Sequence, residues 1–291
     1  MSKKTVDGEV ALCYNLLIKA RRIVMVYSNL HTHTTYSDGK NTVRENIESA
    51  IEKKMHSIGI SDHSYTDFDL TYCIQKDDIP RYMSEIRALR EEYADRIEVY
   101  LGLELDGYAS LEDRELYDYI IGDCHYVPTS DGRRSIDHSV HFFVEIGEKY
   151  FGGDYIAFAK EYYRTYAERM QIIRPDVLGH FDLVTKFGYI DQNDPEYRKA
   201  ALEALVSSLE VCPIVEMNTG AIARGHRREP YPAPFLLDEI KARGGKILLS
   251  SDSHNADNLI FFFDECVELL RANGFRSIVA LSEGRFKEFG I

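Results

Sequence analysis

Short apolar segments alternate along the chain with stretches of helical periodicity. The segments are rich in β-branched and aliphatic residues, which is typical of buried strands, and each leads into a histidine or a carboxylate. Between them, the capping box Thr42-x-x-Glu45 predicts the start of a helix. Later helices are predicted over residues 79–93, 200–209, 234–242 and 257–270. The strand-like units are residues 23–30, 57–60, 97–103, 119–121, 176–178, 213–215 and 246–249.

This alternation indicates an α/β fold with a parallel sheet. A closed or nearly closed β/α barrel is favoured, because such barrels build their sites from the loops at the carboxyl ends of the strands. An open doubly wound sheet is the alternative. The longest interval between strands, residues 130–173, is rich in Tyr and Phe. We expect it to be a helical insertion that covers the site.

Composition favours one large domain without a membrane span. The chain has 291 residues, of which 44% are hydrophobic, and no Pro- or Gly-rich linker. Its apolar runs are far shorter than the ~20 residues that a spanning helix needs. Lys19, Arg21 and Arg22 stand where a secretory signal would have its small-residue cleavage site. We therefore expect a soluble, cytoplasmic protein whose five scattered cysteines stay reduced.

The formal net charge of −13 opposes binding to polyanions. A protein that contacts many phosphates of DNA or RNA normally displays a basic stripe, and none is visible in the sequence. Nucleic acid is therefore a disfavoured partner. A small phosphorylated substrate stays compatible with this charge, because bound metal ions can reverse the sign of the local field.

Two short motifs carry the first sign of chemistry. In His31-x-His33, the period of two along a strand directs both imidazoles to one side, where they could share a metal. Alone, the pair is as well explained by two surface histidines near a turn. Asp252-Ser-His254 repeats the spacing after the last strand-like unit. Two such motifs at opposite ends of the chain are hard to explain by packing.

Other strand ends extend the set of candidate ligands. His63, His125 and His180 follow strand-like units, Glu104 ends one where it could bridge two metals, and Asp38 lies in a nearby turn. Mixed imidazole and carboxylate ligation suits Zn²⁺, Fe²⁺ or Mn²⁺ better than Ca²⁺. The absence of cysteine ligands argues against a closed structural zinc site. The nine candidates are His31, His33, Asp38, His63, Glu104, His125, His180, Asp252 and His254.

These motifs resemble the PHP family, the polymerase and histidinol phosphatase superfamily. The resemblance implies a distorted (β/α)₇ TIM-like barrel with a site for three divalent ions of Zn, Fe or Mn. It runs from about Asn29 to the C-terminus. The stretches that carry it are His31-Thr-His33-Thr-Thr-Tyr-Ser-Asp38-Gly39, Ser61-Asp62-His63, Gly102-Leu-Glu104, Gly122-Asp-Cys-His125, Gly179-His180-Phe-Asp182-Leu183 and Ser251-Asp252-Ser-His254.

The family also implies domain limits and a distribution of the ligands. Residues 25–291 would form the PHP phosphoesterase domain. Residues 1–24 depart from the family pattern, so either Met25 is the true start or they form a peripheral N-terminal extension. By resemblance, the ligands would be His31, His33, Glu104 and Asp252 for the first metal, Glu104, His125 and His180 for the second, and Asp38, His63 and His254 for the third.

Further stretches resemble the histidinol-phosphate phosphatase branch. This implies hydrolysis of L-histidinol phosphate to L-histidinol and phosphate, a step of histidine biosynthesis, by hydroxide that bridges two metals. The alternative is another small-molecule or nucleotide phosphoesterase of the family. The stretches are Asp67-Phe-Asp69-Leu-Thr-Tyr72-Cys, Ile136-Asp137-His-Ser139, Phe151-Gly-Gly-Asp154-Tyr155, Glu216-Met-Asn218-Thr-Gly220 and Ser253-His-Asn255-Ala-Asp257-Asn258-Leu.

Three residues outside the ligand set are candidates for catalysis. Arg224 and Lys186 follow strand ends and could bind phosphate. This role is favoured for Arg224 over that of a solvated surface charge, whereas Lys186 fits either role equally. Asp62 could orient a metal ligand or protonate the leaving group, and the orienting role is favoured. Asp67 and Asp69 could receive the amine or imidazole of histidinol, or could be solvated loop carboxylates.

Two other classes of protein share some of these features. An amidohydrolase-type barrel also opens with His-x-His, but it normally needs a bridging lysine where this chain has Glu104. A non-enzymatic, metal-stabilised binding module would be expected to have lost ligands. A 3′-5′ exonuclease of the PHP scaffold is disfavoured because the sequence lacks a basic groove.

Overall fold

The computed structural model describes residues 26–111 and 113–291. Residues 1–24, the predicted extension, and the start of the first predicted strand lie outside these ranges. Within them, the strands are β1 (Ser28–Asn29), β2 (Ser57–Ile60), β3 (Glu98–Asp106), β4 (Tyr119–Asp123), β5 (Tyr126–Thr129), β6 (Gly132–Ser135), β7 (Val177–Leu178), β8 (Ile214–Asn218), β9 (Lys246–Ser250), β10 (Ser277–Ser282) and β11 (Arg285–Gly290). The helices are α1 (Val43–Glu52), α2 (Ile79–Glu92), α3 (Val140–Phe151), α4 (Tyr155–Ile173), α5 (Pro195–Leu209), α6 (Gly220–Ala223), α7 (Pro234–Ala242) and α8 (Phe263–Ala272).

The main sheet curls into a distorted barrel. Its strand order is β1-β2-β3-β4-β7-β8-β9-β10-β11, and all neighbours are parallel except β10 and β11. The chain after β1 also meets the chain after β9, since Thr32 forms a parallel bridge with Ser253. The His33 N–H donates to the Ser253 carbonyl (2.8 Å), and the Ser253 N–H donates to the His31 carbonyl (3.1 Å). The seven predicted strands therefore form the barrel wall, and the barrel prediction is confirmed.

Two hairpins were not predicted. The insertion over residues 130–173 is only partly helical, because β5 and β6 form an antiparallel hairpin before α3 and α4 begin. Gly132, at φ 122°, follows the turn of this hairpin, a backbone conformation that favours glycine. The second hairpin, β10 and β11, follows the last predicted helix. That helix itself begins at Phe263, later than predicted.

A tyrosine fills the interior of the barrel. Tyr119 on β4 is buried, and its hydroxyl donates a hydrogen bond to the carbonyl of Leu30 on the opposite wall. A Cβ atom at Gly59 or at Gly102 would lie 2.1 Å from the nearest Tyr119 atom, so both strands need glycine there. Phe286 of the C-terminal hairpin packs against this interior cluster. Because side chains fill the barrel interior, a binding site can form only at the polar ends of the strands.

Local signals fix the helices that surround the barrel. Thr42 caps α1 as predicted: its hydroxyl accepts from the Glu45 N–H, and the Glu45 carboxylate accepts from the Thr42 N–H (2.8 Å). Asp154 caps α4 in the same way through the Ile156 and Ala157 amides. In the described part of the chain, no helix is long and apolar enough to cross a membrane. The cytoplasmic location stays a prediction.

Candidate metal centre

All nine predicted ligands meet at the carboxyl end of the barrel. The strands and the loops that follow them bring these residues together from both ends of the sequence. The side chains form four overlapping groups, and within each group one nitrogen or oxygen atom per residue lies within 4.8 Å of the others. The groups are His31, His33 and Asp252; His31, Glu104, Asp123 and His180; His63, Glu104 and His125; and His33, Asp38, His63 and His254.

Glu104 occupies the centre of the cluster. Its side chain is 1% exposed, and its Oε1 lies 3.2 Å from His31 Nε2, 3.0 Å from His180 Nε2 and 3.5 Å from His125 Nε2. Its other oxygen contacts His63 Nδ1. The same oxygen lies 3.7 Å from His33 Nε2. A single carboxylate thus faces five imidazoles, which is the arrangement expected of a ligand that bridges metal ions.

The chemistry of these donors fits divalent cations. His31 Nε2 and Glu104 Oε2 are buried and, despite the close contacts described above, form no hydrogen bond, which costs about 1–3 kcal/mol for each group unless something else satisfies it. Burial, together with the nearby His254 and His63, lowers the pKa of His33 to about 3. His33 is therefore neutral near pH 7, and neutral imidazole is the form that binds metal. Burial lowers the pKa of the other buried ligand histidines, but the neighbouring carboxylates outweigh it and raise the pKa, so a metal ion would displace protons there.

Three buried carboxylates stand behind three of the histidines. Each lies close to the Nδ1 atom of its histidine, which favours the N–H on that side and presents Nε2 to the cluster. Glu216 and Asp106 form hydrogen bonds with their histidines, whereas Asp123 and His180 are in contact without one. Sequence reasoning did not assign this role to any of the three carboxylates. The pairs are Glu216 with His31 (2.6 Å), Asp106 with His125 (3.3 Å) and Asp123 with His180 (3.0 Å).

The spacing of residues along the strands could have identified two of these carboxylates as neighbours of the predicted ligands. Asp106 follows Glu104 by two residues and Asp123 precedes His125 by two, so each pair shares a face of its strand. Gly179 makes room for Asp123, since a Cβ atom there would lie 2.2 Å from the carboxylate. Burial raises the pKa of Asp123 to about 6, although His180 acts in the opposite direction.

The structure places Arg224 at the edge of the cluster. Its Nη2 donates to Asp252 Oδ2 (2.7 Å), and its Nη1 donates to the Asp252 carbonyl (3.0 Å) and lies 3.1 Å from His254 Nδ1. Burial opposes ionisation of Asp252, but Arg224 and His31 hold the pKa of its carboxyl well below the usual range. Gly220 leaves space for the guanidinium, since a Cβ atom there would lie 2.9 Å from Nη2.

Lys186 faces the insertion. Its Nζ donates to the Asp137 carbonyl (3.1 Å) and contacts Asp137 Oδ2 (3.3 Å). Burial opposes ionisation of Asp137, but Lys186, His125 and His180 lower its pKa well below the ordinary value. Lys186 therefore joins the segment before α3 to the barrel, next to the histidines.

Asp62 lies beneath a loop. Among the described residues, it is not one of those that line the cavity above the cluster. It is fully buried, and its carboxylate accepts hydrogen bonds from the Thr34 N–H (2.7 Å), the Thr34 hydroxyl (2.7 Å) and the Ser37 hydroxyl. The segment that it fixes carries Asp38. This placement supports a positioning role over the alternative role of proton donor.

A cavity of about 730 Å³ lies over the cluster, within the range of small-molecule sites. Two cations, Lys186 and Arg224, line it together with the carboxylates Asp69 and Asp137. Asp67, which the structure also describes, is not part of the lining. His138 and His226, which are not among the nine predicted ligands, also line the cavity.

The comparisons with known proteins agree with this site. A sequence model of the PHP domain matches residues 29–219, so the chain belongs to the PHP family. Within that family it falls in the histidinol-phosphatase-like branch. The protein named "Probable histidinol-phosphatase" of Deinococcus radiodurans is 30% identical over 267 residues, which cover 86% of this chain and 94% of the relative. The histidinol-phosphatase of Bacillus subtilis is 24% identical over 82% of this chain and 97% of its own.

A solved structure shares the fold. The histidinol phosphate phosphatase of Lactococcus lactis, crystallised with zinc, L-histidinol and phosphate, matches with a TM-score of 0.65. The match covers 89% of this chain and 98% of the Lactococcus chain, at 21% sequence identity. The nine-stranded curled sheet is therefore the distorted barrel of the PHP family.

Proposed function

We propose that this protein is a metal-dependent phosphomonoesterase that hydrolyses L-histidinol phosphate to L-histidinol and phosphate. The convergence of nine ligand-type side chains under a cavity with two cations carries the proposal. Relatives named histidinol-phosphatases, which match over most of both chains, support the choice of substrate. Zinc, L-histidinol and phosphate bound to the Lactococcus relative support the choice of cofactor.

Three divalent ions would be held by the ligand sets that the family resemblance implies. When bound, such ions supply Lewis acidity, which activates water and offsets charge on phosphoryl oxygens. Their charge exceeds that of Asp38, Glu104 and Asp252, so roughly three positive charges remain. This explains how a chain with a net charge of −13 would attract a phosphate dianion.

Arg224 and Lys186 are the proposed phosphate-binding residues. Both line the cavity, and each is held in place by a carboxylate, Asp252 for Arg224 and Asp137 for Lys186. A guanidinium offers two parallel N–H donors to phosphate oxygens, and an ammonium offers a point charge. These two cations would orient the phosphoryl group over the cluster.

Carboxylates of the same cavity would recognise the other end of the substrate. The Tyr126 hydroxyl donates to Asp69 Oδ2 (2.9 Å), and this bond fixes the orientation of Asp69. Asp69 and Asp137 would both be ionised near pH 7 and would attract the ammonium group of histidinol. The combination of two cations and two carboxylates matches a substrate that carries a phosphate and an amine.

A screen of phosphate release tests this function. L-histidinol phosphate is compared with amino-alcohol phosphates that lack the imidazole, with nucleoside monophosphates and with a single-stranded oligonucleotide, and metal content is measured on the same sample. We expect the highest kcat/KM for L-histidinol phosphate. A higher kcat/KM for a nucleotide would favour the alternative phosphoesterase.

Substitutions of two predicted ligands test whether phosphate release depends on the cluster. We expect His31→Ala and Asp252→Ala to abolish phosphate release while the circular dichroism spectrum is retained. His56→Ala is the matched control, because His56 bonds to Ser282 and lies outside the cluster. Wild-type turnover in His31→Ala would rule out the cluster as the catalytic site.

A further inference from the structure

The proposed ligands differ strongly in burial. The side chains assigned to the first and second ions are between 0% and 8% exposed. In the set assigned to the third ion, the side chains of Asp38 and His254 are 37% and 25% exposed, and only His63 is buried. Since solvent weakens electrostatic attraction, a cation at the third set would be bound less strongly.

The carboxylates on Nδ1 atoms also distinguish the sets, because all three stand behind histidines of the buried sets. The carboxylate ligands themselves do not distinguish them, since Glu104 and Asp252 serve two ions and Asp38 serves one. The Arg224 guanidinium lies 2.7 Å from Oδ2 of Asp252 and 3.1 Å from Nδ1 of His254, so its charge acts on the first and third sets alike.

We infer that the site binds its metal ions in two classes of affinity, with two ions held tightly and the ion at Asp38, His63 and His254 held weakly and exchangeable. The inference rests on the proposed three-ion site. A partner that orients a ligating histidine changes metal affinity by about 10–100-fold, and the buried sets have three such partners. The weak ion would make turnover sensitive to the free metal concentration.

Stepwise removal of metal tests whether the ions fall into these two classes of affinity. The full chain is loaded in excess Zn²⁺ and dialysed against rising concentrations of EDTA, and zinc per chain is counted by mass spectrometry. The wild type should lose one ion at a chelator concentration at least tenfold below that which removes the other two. We call the loss of the first ion the early step and the loss of the other two the late step. Asp38→Asn should lack the early step and keep the late step unchanged.

Three further variants separate the buried sets from the third set. Asp106→Asn removes the partner of His125, so the late step should move to about 10–100-fold lower chelator while the early step stays. Asp69→Asn is the matched control, because Asp69 lines the cavity but belongs to none of the four groups. His254→Ala provides a second test of the early step if Asp38→Asn folds poorly, as judged by thermal unfolding.

Loss of all ions in one step from the wild type would overturn the inference. So would an Asp38→Asn variant in which the late step shifts as far as it does in Asp106→Asn. Metal counting needs no substrate, so its outcome is separate from that of the phosphate-release screen. A protein inactive on L-histidinol phosphate could still show both steps.

Discussion

Glu216 Oε1 lies 2.6 Å from His31 Nδ1, and both side chains are fully buried. The same carboxylate accepts hydrogen bonds from the His180 N–H (2.8 Å) and from Asn218 Nδ2 (3.0 Å), and it contacts the Ser250 hydroxyl. One residue of β8 thus holds the ends of β1, β7 and β9 together. It also contacts His31 and His180, which the proposal assigns to the first and second ions.

We predict that Glu216→Gln weakens zinc binding by about 10–100-fold with retention of the fold, because the amide cannot orient His31 and accept the His180 N–H as the carboxylate does. Chelator competition measures the affinity, and circular dichroism checks the fold. The control is Glu239→Gln, which alters a half-buried carboxylate of α7 that pairs with Arg243 outside the cluster. Equal zinc retention in the two variants would contradict the role of Glu216.

Gly179→Ala should destabilise the protein by about 1–3 kcal/mol, since the added methyl group would lie 2.2 Å from Asp123 Oδ1. Displacement of Asp123 would also release His180, so zinc retention should fall. Denaturant unfolding measures the first effect. Gly290→Ala is the control, because its nearest neighbour would be 3.9 Å away, and a similar loss of stability there would argue against this explanation.

Replacement of Arg224 by Ala should lower kcat/KM for phosphate release by about 10–100-fold, since a hydrogen bond to a charged group is worth about 1.5–3 kcal/mol. Arg224→Lys should recover part of this loss, because it keeps the charge without the planar pair of donors. Steady-state kinetics at saturating metal separate this effect from that of metal loss. An unchanged kcat/KM in Arg224→Ala would remove Arg224 from the phosphate site.

Asp62→Asn distinguishes a positioning residue from a proton donor. A donor to the leaving group matters for an alkoxide but not for 4-nitrophenolate, which leaves without protonation. Because Asp62 fixes Thr34 and Ser37, we predict equal losses with L-histidinol phosphate and 4-nitrophenyl phosphate. A loss confined to L-histidinol phosphate would instead identify Asp62 as the acid.

The strand ends made the metal cluster predictable from sequence. His31, Glu104 and Asp252 are far apart in the chain, but the carboxyl ends of parallel strands meet at one face of a barrel. Knowing the strands was therefore enough to bring together all of the candidates except Asp38, which lies in the turn after the first strand. The family resemblance, rather than this geometry, distributed them among three ions.

The partners of the ligands were harder to predict. Glu216 appeared in a motif, but its contact with His31 joins β8 to β1 across the barrel, and strand periodicity does not specify such a contact. Arg224 was expected to bind phosphate, whereas the structure also places it against Asp252 and His254. Both relationships depend on side-chain directions that local sequence does not determine.

The bridge between Thr32 and Ser253 joins the two ends of the barrel at the metal cluster. His33 and Asp252, which touch there at 3.0 Å, are 219 residues apart in the chain. Chains are synthesised from the N-terminus, so a growing chain exposes His31 and His33 long before their partner residues exist. In the proposed assignment, the first ion needs ligands from both ends of the barrel. Its binding would therefore follow the synthesis and closure of nearly the whole barrel, and metal loading in the cell would report the completion of folding.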